Sequence, residues 1–491
     1  MISIRNSGFR DSGHFHSHEG YFLLPFRFHP ITASREVLVN EVGDWLMCPR
    51  GTATRLATHQ LAATDPLYSD LLGSFFLSEK PIPDLIDVLA TRYRTKKSFL
   101  DPFTSLHIFV LTLRCNHTCH YCQVSRQSED KQQYDMSMEH LSRAIDLMFR
   151  SPADSLTVEF QGGEPLLAGK SLTFAVEEIL RRNAQYRRKL SFVLCTNLTL
   201  LTPDILDFCR RHQILISTSL DGPAFLHRTN RLGPHGADSY AMFERALGQA
   251  RTALGADRIS ALMTTSRTAL DYPEEIVDAY VALGFSHVFL RQMHPYGFAA
   301  RLGPSRSYDS AAFLKFYKRA LLHVLALNKA GVHVVEDMAT IMLKKMLTPF
   351  PVGFVDLQSP SGAINGVIVY NYDGYVYASD ESRMLAEAGD YTFRLGSVTD
   401  QYEDLFYSRQ AHQITAASVN EALAGCSDCG FQSYCGGDPV RHHATQGDME
   451  GYRATSSFCA KHLELFRWLF ELIDSDTEVE RIFRRWVSEG H

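Results

Sequence analysis

Leu113-Arg-Cys115-Asn-His-Thr-Cys119-His-Tyr121-Cys122 is the stretch on which the reading of this chain turns. Its three cysteines are close enough to ligate one cluster, yet they are one short of the four thiolates that a 4Fe–4S cube normally takes. A cube held this way keeps one iron open for an exchangeable ligand. The run directly follows the apolar stretch Leu106–Leu113, so the cysteines fall on a loop at the end of a strand. Zinc is the alternative, with His117 and His120 as further donors, although zinc loops favour paired cysteines joined by a second pair or by histidines.

A second polar segment, Phe160-Gln-Gly162-Gly163-Glu164-Pro165, follows another strand-like run, Ser155–Phe160. Two glycines admit close backbone approach and Glu164 adds a carboxylate, so the segment offers acceptors to an amino group. Thr196 and Asn197 end a third run. Ser217 and Ser219 lie on a fourth, just before Asp221-Gly-Pro223.

These segments resemble the signatures of the radical SAM superfamily. The cysteine loop has its C-x3-C-x-aromatic-C form, with Tyr121 as the aromatic residue, and the later segments resemble its GGEP and SLDGP stretches. The resemblance implies S-adenosylmethionine (SAM) on the open iron of a 4Fe–4S cluster held by Cys115, Cys119 and Cys122. It also implies cofactor contacts from Tyr121, Gly162, Gly163, Glu164, Asn197 and Ser219. Arg231, in His227-Arg-Thr-Asn-Arg231, would grip the SAM carboxylate as a fork. A plain turn at Asp221-Gly222 and a surface arginine are the alternatives there.

Composition fits an enzyme of two or three domains: 491 residues, 45% hydrophobic, 21% charged, with a net charge of −6. That balance gives no bias toward nucleic acid. The apolar runs fall short of a membrane span and the first 20 residues lack the apolar core of a signal peptide, so the expected location is cytoplasmic. Ten cysteines in such a chain read as metal ligands plus buried thiols.

Strand-like runs recur at Leu106–Leu113, Leu156–Phe160, Phe192–Cys195, Ile214–Leu220, Ile259–Thr265 and His287–Met293. Amphipathic helical patterns lie between them, at Met138–Phe149, Thr173–Ala184, Pro203–His212, Tyr240–Leu254 and Pro273–Leu283. The alternation implies a parallel sheet in an α/β fold. The resemblance specifies a partial (β/α)6 barrel over residues 104–308, with its site at the C-terminal strand ends. Residues 1–20 are expected to be flexible. Residues 21–103, with strands at Tyr21–Phe28 and Glu36–Val39 and helices at Ala53–Ala62, Pro66–Leu77 and Pro83–Tyr93, resemble a winged-helix-like α+β peptide-recognition domain. Bridging helices would occupy 309–350.

The last unit, 351–491, carries Cys426-x2-Cys429-x5-Cys435 and then Cys459. It resembles the SPASM extension of peptide-modifying radical SAM enzymes, in which seven cysteines serve two auxiliary clusters. This chain departs from that pattern. Ser379, in Val367–Asp380, and Pro439 stand where the family has cysteines, and no cysteine lies between Cys209 and Cys426. The remaining four match the set for the second auxiliary cluster, so one such 4Fe–4S cluster is expected, with a structural zinc as the alternative. The resemblance also places Asp380 at the position of a catalytic aspartate. Cys48, Cys195 and Cys209 read as inert buried thiols.

Longer phrases, among them Leu24-Pro-Phe-Arg-Phe28, Tyr121-Cys-Gln-Val-Ser-Arg-Gln127 and Phe289–Phe298, resemble the radical SAM maturase of the His-Xaa-Ser system. That resemblance implies a ribosomal precursor peptide as substrate, a second radical SAM maturase as partner, and an external electron donor of flavodoxin or ferredoxin type. A 5′-deoxyadenosyl radical would take a hydrogen from the peptide, leading to an oxidative crosslink. The alternatives are a sulfatase-maturing, formylglycine-forming enzyme and a non-catalytic peptide-binding scaffold. Arg291, His294, Tyr296 and Glu336 are candidates to face substrate.

Overall fold

Five parallel strands follow one another in the order in which the apolar runs occur. They are β1 (Leu106–Thr112), β2 (Ser155–Gly162), β3 (Lys189–Cys195), β4 (Leu215–Ser219) and β5 (Ile259–Leu262). The computed structural model describes residues 20–80, 83–303 and 305–489. The expected flexible segment 1–20 therefore lies outside the described residues, apart from Gly20.

After β1, β3 and β4 the chain returns through a helix whose start is written in its cap, whereas Gly169–Tyr186 after β2 begins without a side-chain cap. Ser137 accepts from the His140 amide ahead of Met138–Phe149. Thr202 accepts from Ile205 ahead of Pro203–Arg211, with proline in the first turn. Asp238 accepts from Tyr240 and Ala241 ahead of Ser239–Leu254. Such caps fill amide groups that have no partner inside the helix.

The sheet does not end at β1. On that edge β6 (Val367–Tyr370) pairs parallel, and β7 (Tyr375–Tyr377) and β8 (Arg394–Ser397) follow antiparallel. The result is one mixed eight-stranded sheet of order β5-β4-β3-β2-β1-β6-β7-β8. The C-terminal hairpin is thus built into the sheet that bears the cysteine loop.

The sixth barrel strand falls short of expectation. Only His287–Val288 is strand, paired with Val335–Glu336, and it meets the main sheet through a single bridge from Thr265 to Gln292. Side chains explain the shortfall. The Leu290 amide donates to Glu336 Oε1 at 3.1 Å and the Met293 amide to the Tyr308 hydroxyl at 2.9 Å, so neither is free for a ladder.

Bridging helices Ser310–Lys329 and Asp337–Leu347 pack with Ser457–Ser475 and Thr477–Glu489 into one core beneath β4 and β5. The N-terminal unit differs from a hairpin with three helices. Phe26–Pro30, Arg35–Asn40 and Trp45–Pro49 form a three-stranded antiparallel sheet. Phe22–Leu23 pairs with Leu77–Ser78, and the helices are Thr52–Ala57, Tyr68–Gly73 and Pro83–Lys97. The third strand, Trp-Leu-Met-Cys-Pro, lacks the polar alternation that marks a half-buried strand.

Candidate active site

The cysteine loop leaves β1 and is fastened from three sides. Arg114, nearly buried, donates to both oxygens of Asp135 at 2.6 and 2.8 Å and to the Leu167 carbonyl at 2.8 Å. Thr118–Cys119 pairs antiparallel with Arg231–Leu232, which sets Arg231 opposite Cys119. The Phe298 amide donates to the Cys122 carbonyl at 2.9 Å. Beside it Gly297 holds φ +57°, and a Cβ there would lie 2.1 Å from the Gln123 carbonyl oxygen.

Gly162 and Gly163 close the loop from β2. A Cβ on Gly162 would sit 2.2 Å from the Thr112 carbonyl oxygen, and one on Gly163 would sit 2.2 Å from that of Arg114. Only glycine permits the bonds found there, Gly163 N–H to Thr112 at 2.8 Å and Glu164 N–H to Arg114 at 2.7 Å.

These elements enclose a cavity of about 530 Å³ whose walls include Cys115, Cys119, Cys122, Tyr121, Gly162, Gly163, Asn197, Ser219, Arg231 and Asp380. Ten residues expected at the first cluster and cofactor come from separate segments, and Glu164 alone among them is absent from the wall. It is fully buried behind it. Its carboxylate accepts from Thr196 Oγ1 at 2.7 Å, from the Leu166 amide at 3.1 Å and from the Asn197 amide at 2.8 Å. Burial raises its pKa to about 7 against those bonds. From there Glu164 fixes the turn after β3, and that turn presents Asn197.

Asn197 is held in turn. Its Nδ2 donates to Asn116 Oδ1 at 2.8 Å, and Asn116 Nδ2 donates to Thr199 Oγ1 at 2.8 Å. Arg231 is not a free fork, since Nη2 donates to buried Asp221 at 3.1 Å and the guanidinium lies 5.6 Å from the Tyr121 ring centre. The Tyr121 hydroxyl donates to the other Asp221 oxygen. Asp221 is therefore no mere turn residue, and nearby Arg231 keeps its pKa low despite burial.

Cys195 also differs from expectation. It lines the cavity rather than an apolar core, and its Sγ donates to Glu159 Oε1 at 3.2 Å. Arg291 lines the same wall and approaches Glu381 at 3.5 Å. His294 and Tyr296 are packed away, and Glu336 caps helix Asp337–Leu347, so these three do not face the cavity.

The fit of the cavity to its expected contents rests on polar atoms without protein partners. Both His117 ring nitrogens, Arg231 Nε and Thr218 Oγ1 are buried and unbonded, and all belong to wall residues. Unpaired buried polar groups cost about 1–3 kcal/mol each, so a polar cofactor is accommodated. Burial pushes the Cys115 and Cys119 thiols up, a cost that iron removes by holding thiolate.

The second cysteine group gathers Cys426, Cys429, Cys435 and Cys459, the last in the first turn of Ser457–Ser475. The Cys435 thiol feels the other three and is raised by burial. Arg453 Nε donates to Cys426 Sγ at 2.8 Å. Ser379 and Pro439 meet on a separate small cavity walled by Asp356, Glu381 and Asp438.

Residues 109–253 match the family model of the radical SAM superfamily, a match that implies SAM and a 4Fe–4S cluster. The chain is 25% identical to the cysteine-type anaerobic sulfatase-maturating enzyme of Clostridium perfringens, over 75% of this chain and 97% of that one. The fold resembles that of the solved sulfatase-maturating enzyme anSMEcpe with bound AdoMet, at a TM-score of 0.62 and 19% identity, covering 77% of this chain and 99% of that one. It also resembles Streptococcus suis SuiB bound to the precursor peptide SuiA, at 0.51 and 10% identity, covering 89% and 100%. Among the described residues no helix is long and apolar enough to cross a membrane.

Proposed function

We propose that this protein is a radical SAM maturase that modifies a ribosomal precursor peptide of the His-Xaa-Ser type, with oxidative crosslinking as the outcome. The observation that carries this reading is the meeting of Ser379 and Pro439 on one acid-walled cavity. Both stand where SPASM enzymes carry ligands of a first auxiliary cluster. Sulfatase-maturing relatives typically keep that cluster, which counts against their chemistry here.

The residues divide the work. Cys115, Cys119 and Cys122 would hold the first cluster, and Cys426, Cys429, Cys435 and Cys459 an auxiliary one. Gly162, Gly163, Asn197, Ser219 and Arg231 would line SAM, with Tyr121 and Asp221 orienting Arg231. Bound there, the cofactors supply a radical able to take hydrogen from an unactivated carbon, while the protein orients substrate and excludes water. Closing a crosslink removes two hydrogens from the peptide, one as an atom taken by the 5′-deoxyadenosyl radical and one as a proton plus an electron, the electron to be accepted by the auxiliary cluster that Cys426, Cys429, Cys435 and Cys459 would hold. Asp380 faces the cavity and would take the proton. An external flavodoxin or ferredoxin type donor would feed the first cluster, and a second radical SAM maturase would share the peptide.

Formylglycine formation is the second reading, favoured by the sequence match that spans nearly all of the clostridial enzyme. Tandem mass spectrometry after anaerobic co-expression separates the two, with a Cys115→Ala control. Hydrogen loss confined to a fragmentation-resistant His-Xaa-Ser repeat supports the maturase. An unchanged repeat, with a sulfatase peptide converted instead, supports the second reading.

A further inference from the structure

The cavity is electrically divided. Arg126 and Arg231 belong to the side of the cysteine loop, whereas Glu159 faces it from strand β2 and Asp380 from the start of the helix Asp380–Ala386 that follows β7. Of the nearby arginines, Arg291 on the wall approaches Glu381 at 3.5 Å and Arg383 behind it reaches Asp380 only at 3.3 Å, so among the described residues no arginine is paired with Glu159.

The two cavity carboxylates also have unused acceptors. Glu159 Oε1 accepts from Gln161 Nε2 at 2.5 Å and from Cys195 Sγ at 3.2 Å, and Oε2 takes no hydrogen bond from the described residues. Asp380 Oδ1 takes only two long contacts from Arg383, at 3.3 and 3.4 Å, and Oδ2 takes none. Burial raises the Glu159 carboxyl and Asp380 adds to the rise. Arrival of a cation would offset that cost. Cys195, whose thiol burial holds neutral, and Ser217 complete the floor without adding charge.

We propose that Glu159 and Asp380 form a side-chain subsite for a basic nitrogen group of the substrate, an imidazole or an ammonium, and that Glu159 sets this preference. The inference rests on the peptide-maturase reading and deepens it, because it names the class of side chain admitted to the cavity. Glu159 would act on binding alone, whereas Asp380 is also the base of the proposed reaction. The division of charge keeps the SAM carboxylate on the arginine side and the substrate cation on the acidic side.

The test uses the full-length, anaerobically reconstituted protein with SAM and a panel of short Gly/Ser peptides that differ in one central residue, His, Lys, Gln or Asp. A charge-assisted bond corresponds to about tenfold in affinity, so the His and Lys peptides are expected to bind about tenfold or more tighter than the Gln peptide. Glu159→Gln should compress that spread to about threefold or less, and Asp380→Asn, the second variant, should narrow it too. A wild-type protein that ranks Gln equal to His overturns the proposal. So does a spread that survives in both variants, or a Glu159→Gln change that loosens SAM about tenfold while the peptide ranking stands, since Glu159 would then belong to the cofactor. A basic preference lost in Glu159→Gln, together with a His-Xaa-Ser precursor left unmodified, would retain the subsite and sink the maturase reading instead.

Discussion

At the scale of single residues, the GGEP glycines act through what a side chain would strike. A Cβ on Gly163 meets two carbonyl oxygens, of Arg114 at 2.2 Å and of Leu113 at 2.7 Å, both in backbone. Gly163→Ala is therefore expected to displace the cysteine loop, costing about 1–3 kcal/mol in strain and weakening SAM binding about tenfold or more. Gly169→Ala, where a Cβ meets nothing within 4 Å, is the control and should bind SAM normally. Equilibrium dialysis checks both. Asp380→Asn should retain SAM cleavage while peptide modification falls about 100-fold or more, the usual worth of a positioned base. Paired assays of 5′-deoxyadenosine and modified peptide would show it, and equal losses in both would remove Asp380 from the base role. The cysteines, Asn197 and Ser219 were legible as cavity residues because their motifs sit at strand ends, and Asp380 only through the family resemblance. The roles of Glu164, Asp221 and Cys195 were not, because each depends on a partner from a distant segment: Asn197, Tyr121 and Glu159 respectively.

At the scale of elements, capped helices and the first five barrel strands were readable because periodicity and caps are local signals. The sixth strand was not, since Glu336 and Tyr308 take amides that its sequence would have offered to a ladder. Glu336 illustrates how a buried acid in the barrel wall can resemble a substrate ligand in sequence. It accepts from the amides of Leu290 at 3.1 Å and Ala339 at 2.6 Å and from the Tyr317 hydroxyl. Glu336→Ala should cost about 2–4 kcal/mol through the lost cap and the stranded partners. Burial raises the Glu336 carboxyl from 4.5 to about 7. In that window the folded protein keeps a proton that the unfolded chain has released, so this group's contribution falls as pH rises from about 4.5 to about 7. Glu336→Gln does not titrate, so its melting temperature should gain on that of the wild type across the window. Scanning calorimetry from pH 5 to 8 checks this, and a constant gap between the two proteins would contradict it.

At the scale of the whole molecule, the N-terminal unit and the second cysteine group are mechanically one. The Tyr434 hydroxyl donates to the Gly43 carbonyl at 2.9 Å, and the His29 ring packs 4.6 Å from that of Phe431. Arg27 Nε donates to the Ser427 carbonyl, and a Cβ on Gly430 would meet the Phe28 carbonyl oxygen at 2.7 Å. The three-stranded sheet thus clamps the segment from Cys426 to Cys435, a coupling between residues some 400 positions apart that no local pattern announces. The two cubane clusters proposed would mean about eight irons per chain, and Cys459→Ser should lower that number by breaking the four-thiol set. Removal of residues 20–103 is expected to do the same without touching a cysteine, leaving about four irons held by Cys115, Cys119 and Cys122. Iron analysis with electron paramagnetic resonance of the reduced protein distinguishes the two clusters. A truncated protein that keeps about eight irons but loses peptide affinity would show the N-terminal unit to be a recognition element separable from the cluster. Loss of the auxiliary signal alone would show that it first serves to hold the loop of Cys426, Cys429 and Cys435 in place, so that peptide recognition there must be tested by surface substitutions and not by deletion.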